Sequence, residues 1–316
     1  MRIRVLYIVL TLLLVVGCGS RPTTKEQDKA TTERHYAPGT RPLERRIDIG
    51  AITSEEEYRH ALEHYWDGFD FTIGERVAEY DTLDLIYAMA DYVTIIPPQG
   101  ADTLLRNLMH RAEASRPVLD MFATVAEVVL HDPNSPLRND EYYIPILEVL
   151  VTTPLYDEYD RIAPSYDLDI ARKNRIGTTA TDFVYTLANG RQGRLHAIDA
   201  RYTIVMFSNP GCPMCREIRS QIEASPLINE LRERGDMAII TLYPDEDVDA
   251  WREYLAELPA TWINAYDKGM TLTKERLYNL NAIPSLYLLD KHKRIIIKDG
   301  SNVAAIENAI AIMEAQ

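Results

Sequence analysis

Cysteine is scarce in this 316-residue chain. There are three, too few for a scaffold stapled by several disulfides, so each needs its own explanation. Basic residues are also short: 34 Lys and Arg face 48 Asp and Glu, a formal net charge of −14. That balance argues against a nucleic-acid partner, because such binders need basic surface to displace the counterions of phosphates. The apolar run over residues 5–16 is too short for an ordinary membrane-spanning helix. Glycine (14) and proline (17) are modest and hydrophobic residues make up 46%, which excludes a collagen-like fibre and a wholly disordered chain. No internal repeat is evident. The length allows about two domains, since single cores rarely grow far past ~250 residues.

What is present begins with an export signal. Arg2 and Arg4 supply a positive start, the apolar run follows, and the segment ends at Val15-Val16-Gly17-Cys18. A small residue directly before a Cys resembles the lipobox of bacterial lipoproteins. The resemblance implies that residues 1–17 are removed, that Cys18 is acylated, and that the protein sits in the bacterial cell envelope on a lipid anchor, facing the periplasm. The alternative is a plain signal peptide with an incidental cysteine. Residues 18–50 lack apolar periodicity and are rich in Thr, Pro and charge, the composition of a flexible linker.

Residues 51–175 read as a helical domain. Ser54 and Glu57 have capping-box spacing, and Tyr58, Ala61, Leu62, Tyr65, Trp66 and Phe69 then recur at helical intervals. Further helices are predicted over 83–96, 102–114, 116–130, 140–151 and 159–173, punctuated by Pro97-Pro98 and by the run from Asp132 to Pro136. His60 and His64 have metal-ligand spacing but no third ligand nearby, so a solvent-facing pair is the plainer reading. Trp66-Asp67-Gly68-Phe69-Asp70-Phe71 and the stretch from Leu137 to Tyr143 resemble an uncharacterised helical domain that precedes thioredoxin-like domains in some bacterial lipoproteins. It implies an architecture and no mechanism.

The chemistry lies in residues 176–316. A strand over 182–187, an Asn189-Gly190 turn and a return over 193–198 form a hairpin. Residues 202–207 are a near-continuous apolar run suited to a buried central strand, and it leads into Asn209-Pro210-Gly211-Cys212-Pro213-Met214-Cys215. A Cys-x-x-Cys opening a helix at the end of a buried strand has a physical rationale. The first amide N–H groups of a helix lack internal partners and the dipole there is positive, so a thiolate at Cys212 is stabilised. Pro213 fits the first turn, where a missing N–H is no loss. Cys215, one turn on, is close enough to attack a mixed disulfide formed by Cys212. A structural disulfide or half of a zinc site are the alternatives, although no second Cys pair exists to complete the latter.

Downstream, strands are predicted over 237–242, 261–266, 283–290 and 294–298, and helices over 248–258, 272–280 and 303–313. This order, with Cys-x-x-Cys after the first buried strand, resembles the membrane-anchored thioredoxin-like thiol-disulfide oxidoreductases (TlpA/ResA-like). The expected fold is therefore an α/β thioredoxin-like C-terminal domain, a mixed sheet with flanking helices, preceded by an all-α domain. The resemblance implies Cys212 and Cys215 as the catalytic pair, and Ile283 with a cis Pro284 as the substrate-binding backbone. It also implies protein or small-molecule disulfides and thiols as substrates, an external thiol partner that resets the pair, and no cofactor or resident metal. Pro284 could otherwise be an ordinary strand-entry proline. Three positions depart from the pattern: Gly211 stands where a Trp usually precedes the first Cys, Met206 takes the place of a buried acid, and Glu217 could replace that acid or simply be solvated. The competing functions are a non-catalytic thioredoxin-fold binding module and a copper(I) protein using Cys212, Cys215 and Met214, with distant His196 or His292. The peroxiredoxin motif is absent.

Overall fold

The computed structural model describes residues 52–300 and 302–315. The leader, Cys18 and the linker expected over 18–50 lie outside the described residues.

The first helix, α1 (Glu55–Glu63), starts as its cap predicts, with Ser54 Oγ accepting the Glu57 N–H at 3.1 Å. The Glu57 carboxylate reaches past Ser54 to the N–H and hydroxyl of Thr53, at 2.8 and 2.9 Å, and these bonds hold it below the usual carboxylate range. The helix stops earlier than the spacing from Tyr58 to Phe69 implies. Tyr65, Trp66 and Phe69 reach the core from successive turns, where Gly68 and Asp70 favour tight backbone reversals. Then follow α2 (Thr82–Ile95), α3 (Ala101–Ala112), α4 (Arg116–Leu130), α5 (Asp140–Thr152) and α6 (Ile162–Arg172). The last begins later than its predicted start at 159, because the Asp157 carboxylate accepts the N–H groups of Tyr159 and Asp160 at 2.8 and 2.9 Å and fixes a turn there. Phe122 centres the aromatic core of these helices, with ring centroids of Trp66, Phe69 and Phe71 at 5.2, 5.1 and 5.3 Å.

The remaining residues build one seven-stranded mixed sheet in the order β2-β1-β5-β4-β3-β6-β7. Its strands are β1 (Val184–Leu187), β2 (Gln192–Arg194), β3 (Tyr202–Phe207), β4 (Met237–Tyr243), β5 (Ile263–Tyr266), β6 (Ser285–Leu289) and β7 (Ile295–Gly300). β3 is parallel to β4 and antiparallel to β6, and every one of its residues is buried. Alternate residues face two separate cores, as a pleated strand requires. Ile204 and Met206 pack towards α7 (Pro213–Ala224), α8 (Pro226–Glu233) and α11 (Val303–Glu314), while Val205 and Phe207 pack with Phe183, Tyr278 and Tyr287 on the other face. This is the thioredoxin-like sheet that the element order predicts, with the extra hairpin β1–β2 added antiparallel to β5.

Local departures have local causes. The return strand of the hairpin is shorter than predicted and gives way to a 3₁₀ turn over Leu195–Ala197, since the Asp182 carboxylate gathers the His196 N–H at 3.0 Å and Arg194 Nε at 2.8 Å. The helix predicted over 248–258 is divided into α9 (Val248–Tyr254) and a 3₁₀ turn over Leu255–Glu257 just before Pro259. The helix predicted over 272–280 is only α10 (Thr271–Lys274), because Arg276 turns left-handed at φ 52°. α8 follows from a signal not read in the sequence, a Ser225 cap with Pro226 at the first helical position.

The described residues from both halves belong to one compact unit. Arg138 pairs with Asp299, Lys298 Nζ lies 2.6 Å from an Asp140 carboxylate oxygen, and Arg175 pairs with Glu141. Lys298 Nζ also donates to the carbonyls of Ala171 and Lys173 at 2.9 and 2.7 Å. The helical half is thus tied to β7, the strand that follows the cis-proline strand β6.

Candidate active site

β3 ends at Phe207, and the chain leaves the sheet through a loop whose first residues are anchored to β4. Ser208 N–H donates to the Leu242 carbonyl at 3.1 Å, and Asn209 Nδ2 donates to an Asp245 oxygen at 2.8 Å. Gly211 then takes φ +71° with open space where a side chain would stand. Only glycine adopts that conformation freely, so the turn into the motif, and not a steric clash, accounts for Gly211 in this position.

Cys212 is the N-cap of α7 and Pro213 its first residue. The Cys215 N–H, one of the helix's unpartnered donors, points at Cys212 Sγ from 3.1 Å. The two cysteines form a disulfide across a Cα–Cα distance of 5.3 Å. They differ in access: Cys215 is fully buried beside Met206, Ile218 and Leu286, whereas Cys212 is half-buried. The neighbouring Met214 is 57% exposed.

The second wall comes from β6. Its pairing with β3 sets Ser285 opposite Phe207 and so brings the preceding residues to the mouth of the motif. The Ile283–Pro284 peptide bond is cis, and the Ile283 carbonyl oxygen lies 3.8 Å from Cys212 Sγ. Cys212, Cys215, Ile283 and Pro284 are therefore brought together from positions some seventy residues apart in sequence, with contacts spanning |i−j| of 71.

Among the described residues, those that pack with Cys215 include no acid. Met206 fills the strand position and is buried, and Glu217 is exposed and hydrogen-bonded by Gln221 at 2.9 Å, out of the core. Arg216 is exposed as well. The nearest buried charge on the helix is Arg219, one turn past Cys215. Its Nη1 donates to the Tyr254 hydroxyl at 3.4 Å, and Glu223 and Glu257 lie 3.9 Å from its guanidinium. Burial raises the Tyr254 phenol above its ordinary value, so it is neutral at physiological pH.

The histidines weighed as metal ligands are elsewhere. His60 and His64 stack with centroids 4.2 Å apart on an exposed face of α1, and His64 Nδ1 is 2.6 Å from an Asp67 oxygen. His196 bonds the Ala180 carbonyl at 2.8 Å, and Ala180 in turn donates to Lys293; His292 sits in the same β6–β7 turn. That turn follows Leu289, which pairs with Thr203 at the end of β3 opposite Cys212. Among the described residues no set of three or more His, Cys, Asp or Glu is placed to hold a metal ion.

Two clefts flank the Ile283–Pro284 segment, and the helical half lines both. One of about 380 Å³ is lined by Asn209, Asp245, Arg276, Asn279 and Ile283, together with Tyr166 and Ile170 of α6. The other, about 660 Å³, runs from Pro284 and Ala282 to Arg138, Asp140 and Glu141. Of these residues the sequence marked Ile283 and Pro284 for the site; Tyr166, Ile170, Asp245, Arg276 and Asn279 were not connected to it. They come from elements too far apart for spacing to connect them, and the polar Asn279-Leu280-Asn281 run before Ile283 was the one local hint.

Comparison with known proteins gives this geometry its relatives. A domain of unknown function (DUF5106) matches residues 18–174. A thioredoxin-like protein from Bacteroides caccae, known from its crystal structure, is 36% identical and superposes with a TM-score of 0.78 over 84% of this chain and 96% of its own. The C-terminal domain of an uncharacterised protein from Bacteroides fragilis is 39% identical over 44% of this chain and 98% of its own, with a TM-score of 0.43. Nucleoredoxin from Bos taurus is 27% identical over 114 residues, 36% of this chain; the chain spans about a quarter (26%) of that curated relative's length. With 36% identity across nearly the whole of a relative that carries both halves, the chain belongs to the thioredoxin-like proteins.

Proposed function

We propose that the protein is a thiol-disulfide oxidoreductase working through Cys212 and Cys215. The observation that carries this reading is the Cys215 N–H held 3.1 Å from Cys212 Sγ at the start of α7, with the Ile283 carbonyl on the open side of the same sulfur. A helix N-terminus favours negative charge by ~0.3–2 kcal/mol, so the reduced Cys212 is the better thiolate and nucleophile. It attacks one sulfur of a substrate disulfide, forming a mixed disulfide and releasing the other substrate sulfur as a thiolate that takes up a proton. Cys215, deprotonated, then attacks Cys212 Sγ and releases the second substrate thiol. Two electrons have passed from the pair to the substrate, and the Cys212–Cys215 disulfide present in the structure is the product. An external dithiol restores it. With an oxidised pair and a dithiol substrate the same steps run in reverse.

The leader sequence supports a place in the cell envelope on a lipid anchor at Cys18. Cys18→Ala is then expected to release the protein from membranes, and a variant that still fractionates with them would contradict that anchor. The redox reading is tested by reduction of insulin disulfides with dithiothreitol as the electron source, with and without copper(I). Turnover lost in Cys212→Ser supports it; no turnover, with tight binding of copper(I) by the cysteine pair, would favour metal carriage.

A further inference from the structure

The smaller cleft holds an arrangement of donors that the disulfide chemistry itself does not use. Arg276 lies on its rim, in the left-handed conformation at φ 52° that a side chain adopts only when its surroundings enforce it. The enforcement comes from the junction between the two halves. Lys173 Nζ donates to the carbonyl of Arg276 at 3.0 Å and lies 3.4 Å from that of Glu275, and Asn174 Nδ2 donates to the Leu277 carbonyl at 2.7 Å. The guanidinium is laid over the Tyr166 ring of α6, 4.5 Å from its centroid. No carboxylate among the described residues forms an ion pair with it. Most of the described arginines of this chain of net charge −14 are in ion pairs, whereas Arg276 is held in place by the junction and has none.

A second donor lines the same cleft. Asn279 is 4% exposed, its Oδ1 accepts the Asn281 N–H at 3.1 Å, and that bond assigns the amide so that Nδ2 is left without a partner. A buried amide N–H₂ without an acceptor is costly unless something supplies one. Asn209 and Ile283 line the same cleft, and their carbonyls meet Cys212, at its N–H from 3.4 Å and at its Sγ from 3.8 Å. The one acid in the cleft, Asp245, is already engaged by Asn209 Nδ2. Guanidinium and amide donors together match a carboxylate, to which arginine binds through its planar fork.

We propose that Arg276 and Asn279 form a carboxylate-reading subsite beside Cys212, so that the preferred substrate is a peptide disulfide with an acidic residue next to the attacked cysteine. This rests on the oxidoreductase reading above and deepens it: α6 and the 173–174 junction give the helical half a share in substrate choice. Arg276 is a specificity-determining residue, since it touches the substrate's flank and not its sulfur.

The test uses the full chain and two matched disulfide peptides that differ only by Glu or Gln beside the cysteine. For the native protein kcat/KM is expected to favour the Glu peptide by roughly tenfold or more, the worth of a hydrogen bond to a charged group, and to lose part of that preference at high salt. In Arg276→Gln the ratio is expected to collapse towards one, with Arg276→Lys intermediate because a point charge replaces the fork. An equal rate on both peptides, or a preference that survives Arg276→Gln, overturns the subsite. Binding of the same peptides to the Cys212→Ser/Cys215→Ser protein, read by fluorescence anisotropy, separates the two claims. Selective binding without turnover in the native protein sinks the redox reading and keeps the subsite. Turnover with unselective binding does the opposite.

Discussion

The helical half and the sheet half each enclose a buried core and differ in what those cores hold. Around Phe122 the helices pack rings on rings, an interior of apolar and aromatic side chains in a segment that carries no cysteine. Beneath α7, Ile204, Met206 and Leu286 of the sheet and Ile306 of α11 pack up to a sulfur, Cys215, and leave its partner Cys212 half-buried. The difference teaches where function can sit. A helix bundle satisfies its backbone within each element and so makes a rigid wall, whereas a strand that ends under a helix N-terminus delivers unpaired N–H groups to a defined point. The helical half meets that point only with its margins: Tyr166, Arg138, Asp140 and the Lys173-Asn174 junction.

Breaking the comparison on the sheet side has the largest effect. Cys212→Ser is expected to abolish disulfide exchange while the thermal midpoint of the reduced protein is nearly unchanged, because the side chain is half-buried and near-isosteric. On the helical side the effect is inverted. Phe122→Ala removes the ring on which three others rest and is expected to cost about 3–5 kcal/mol in denaturant unfolding, with the alkylation rate of Cys212 unaltered wherever the protein is folded. A loss of thiol reactivity parallel to the loss of stability would show that the two interiors are one.

The tie between them has an intermediate value. Arg138→Met leaves Asp299 as a buried carboxylate without its guanidinium, and stranding one member of a buried pair costs about 3 kcal/mol. Burial already raises the Asp299 carboxyl above the usual range even beside Arg138. A folded value above the unfolded one means that the carboxyl stabilises the fold when protonated and that this contribution fades as pH rises through the folded value. The Arg138→Met penalty should therefore be larger at neutral pH than at pH 4, and a penalty independent of pH would contradict the assignment. The fragment 176–316 lacks Asp140, Ala171 and Lys173 as partners of Lys298 and is expected to keep its sheet with a lowered midpoint. The smallest effect is at the entrance to the motif. Gly211→Ala forces a side chain to φ +71° and should cost ~1–2 kcal/mol, read as a shift in the urea midpoint.

How much of this was legible in the sequence follows from the range of the interactions. Residues 202–207 announce a buried strand by composition, and Cys212-Pro213 announces a helix start because cap and proline act within one turn; β3 and α7 begin where those signals place them. The Ser54 cap and the limits of α4 are legible for the same reason. What local pattern could not give is set by partners far away. Residues 272–280 read as a helix, but Lys173 and Asn174, a hundred residues earlier, bond the carbonyls of residues 275–277 and hold them out of it. The cleft shared by Asn209, Tyr166 and Arg276 is invisible to spacing because three elements meet there only after the sheet has formed. Met206 is buried in the same cluster as Cys215, and the carboxylate that follows on α7, Glu217, is exposed and bonded by Gln221.

The central claim, that Cys212 attacks and Cys215 resolves, is tested most directly by trapping. Reduced Cys215→Ser and Cys212→Ser proteins are exposed to a disulfide peptide at pH 6 and pH 8, quenched by alkylation, and read by mass spectrometry. The account predicts a stable mixed disulfide on Cys212 in Cys215→Ser, formed readily even at pH 6, and little or none on Cys215 in Cys212→Ser, where the sulfur is fully buried. Adduct formation on Cys215 in preference to Cys212, or equal trapping in both variants, would contradict the assignment of nucleophile and the mechanism built on it.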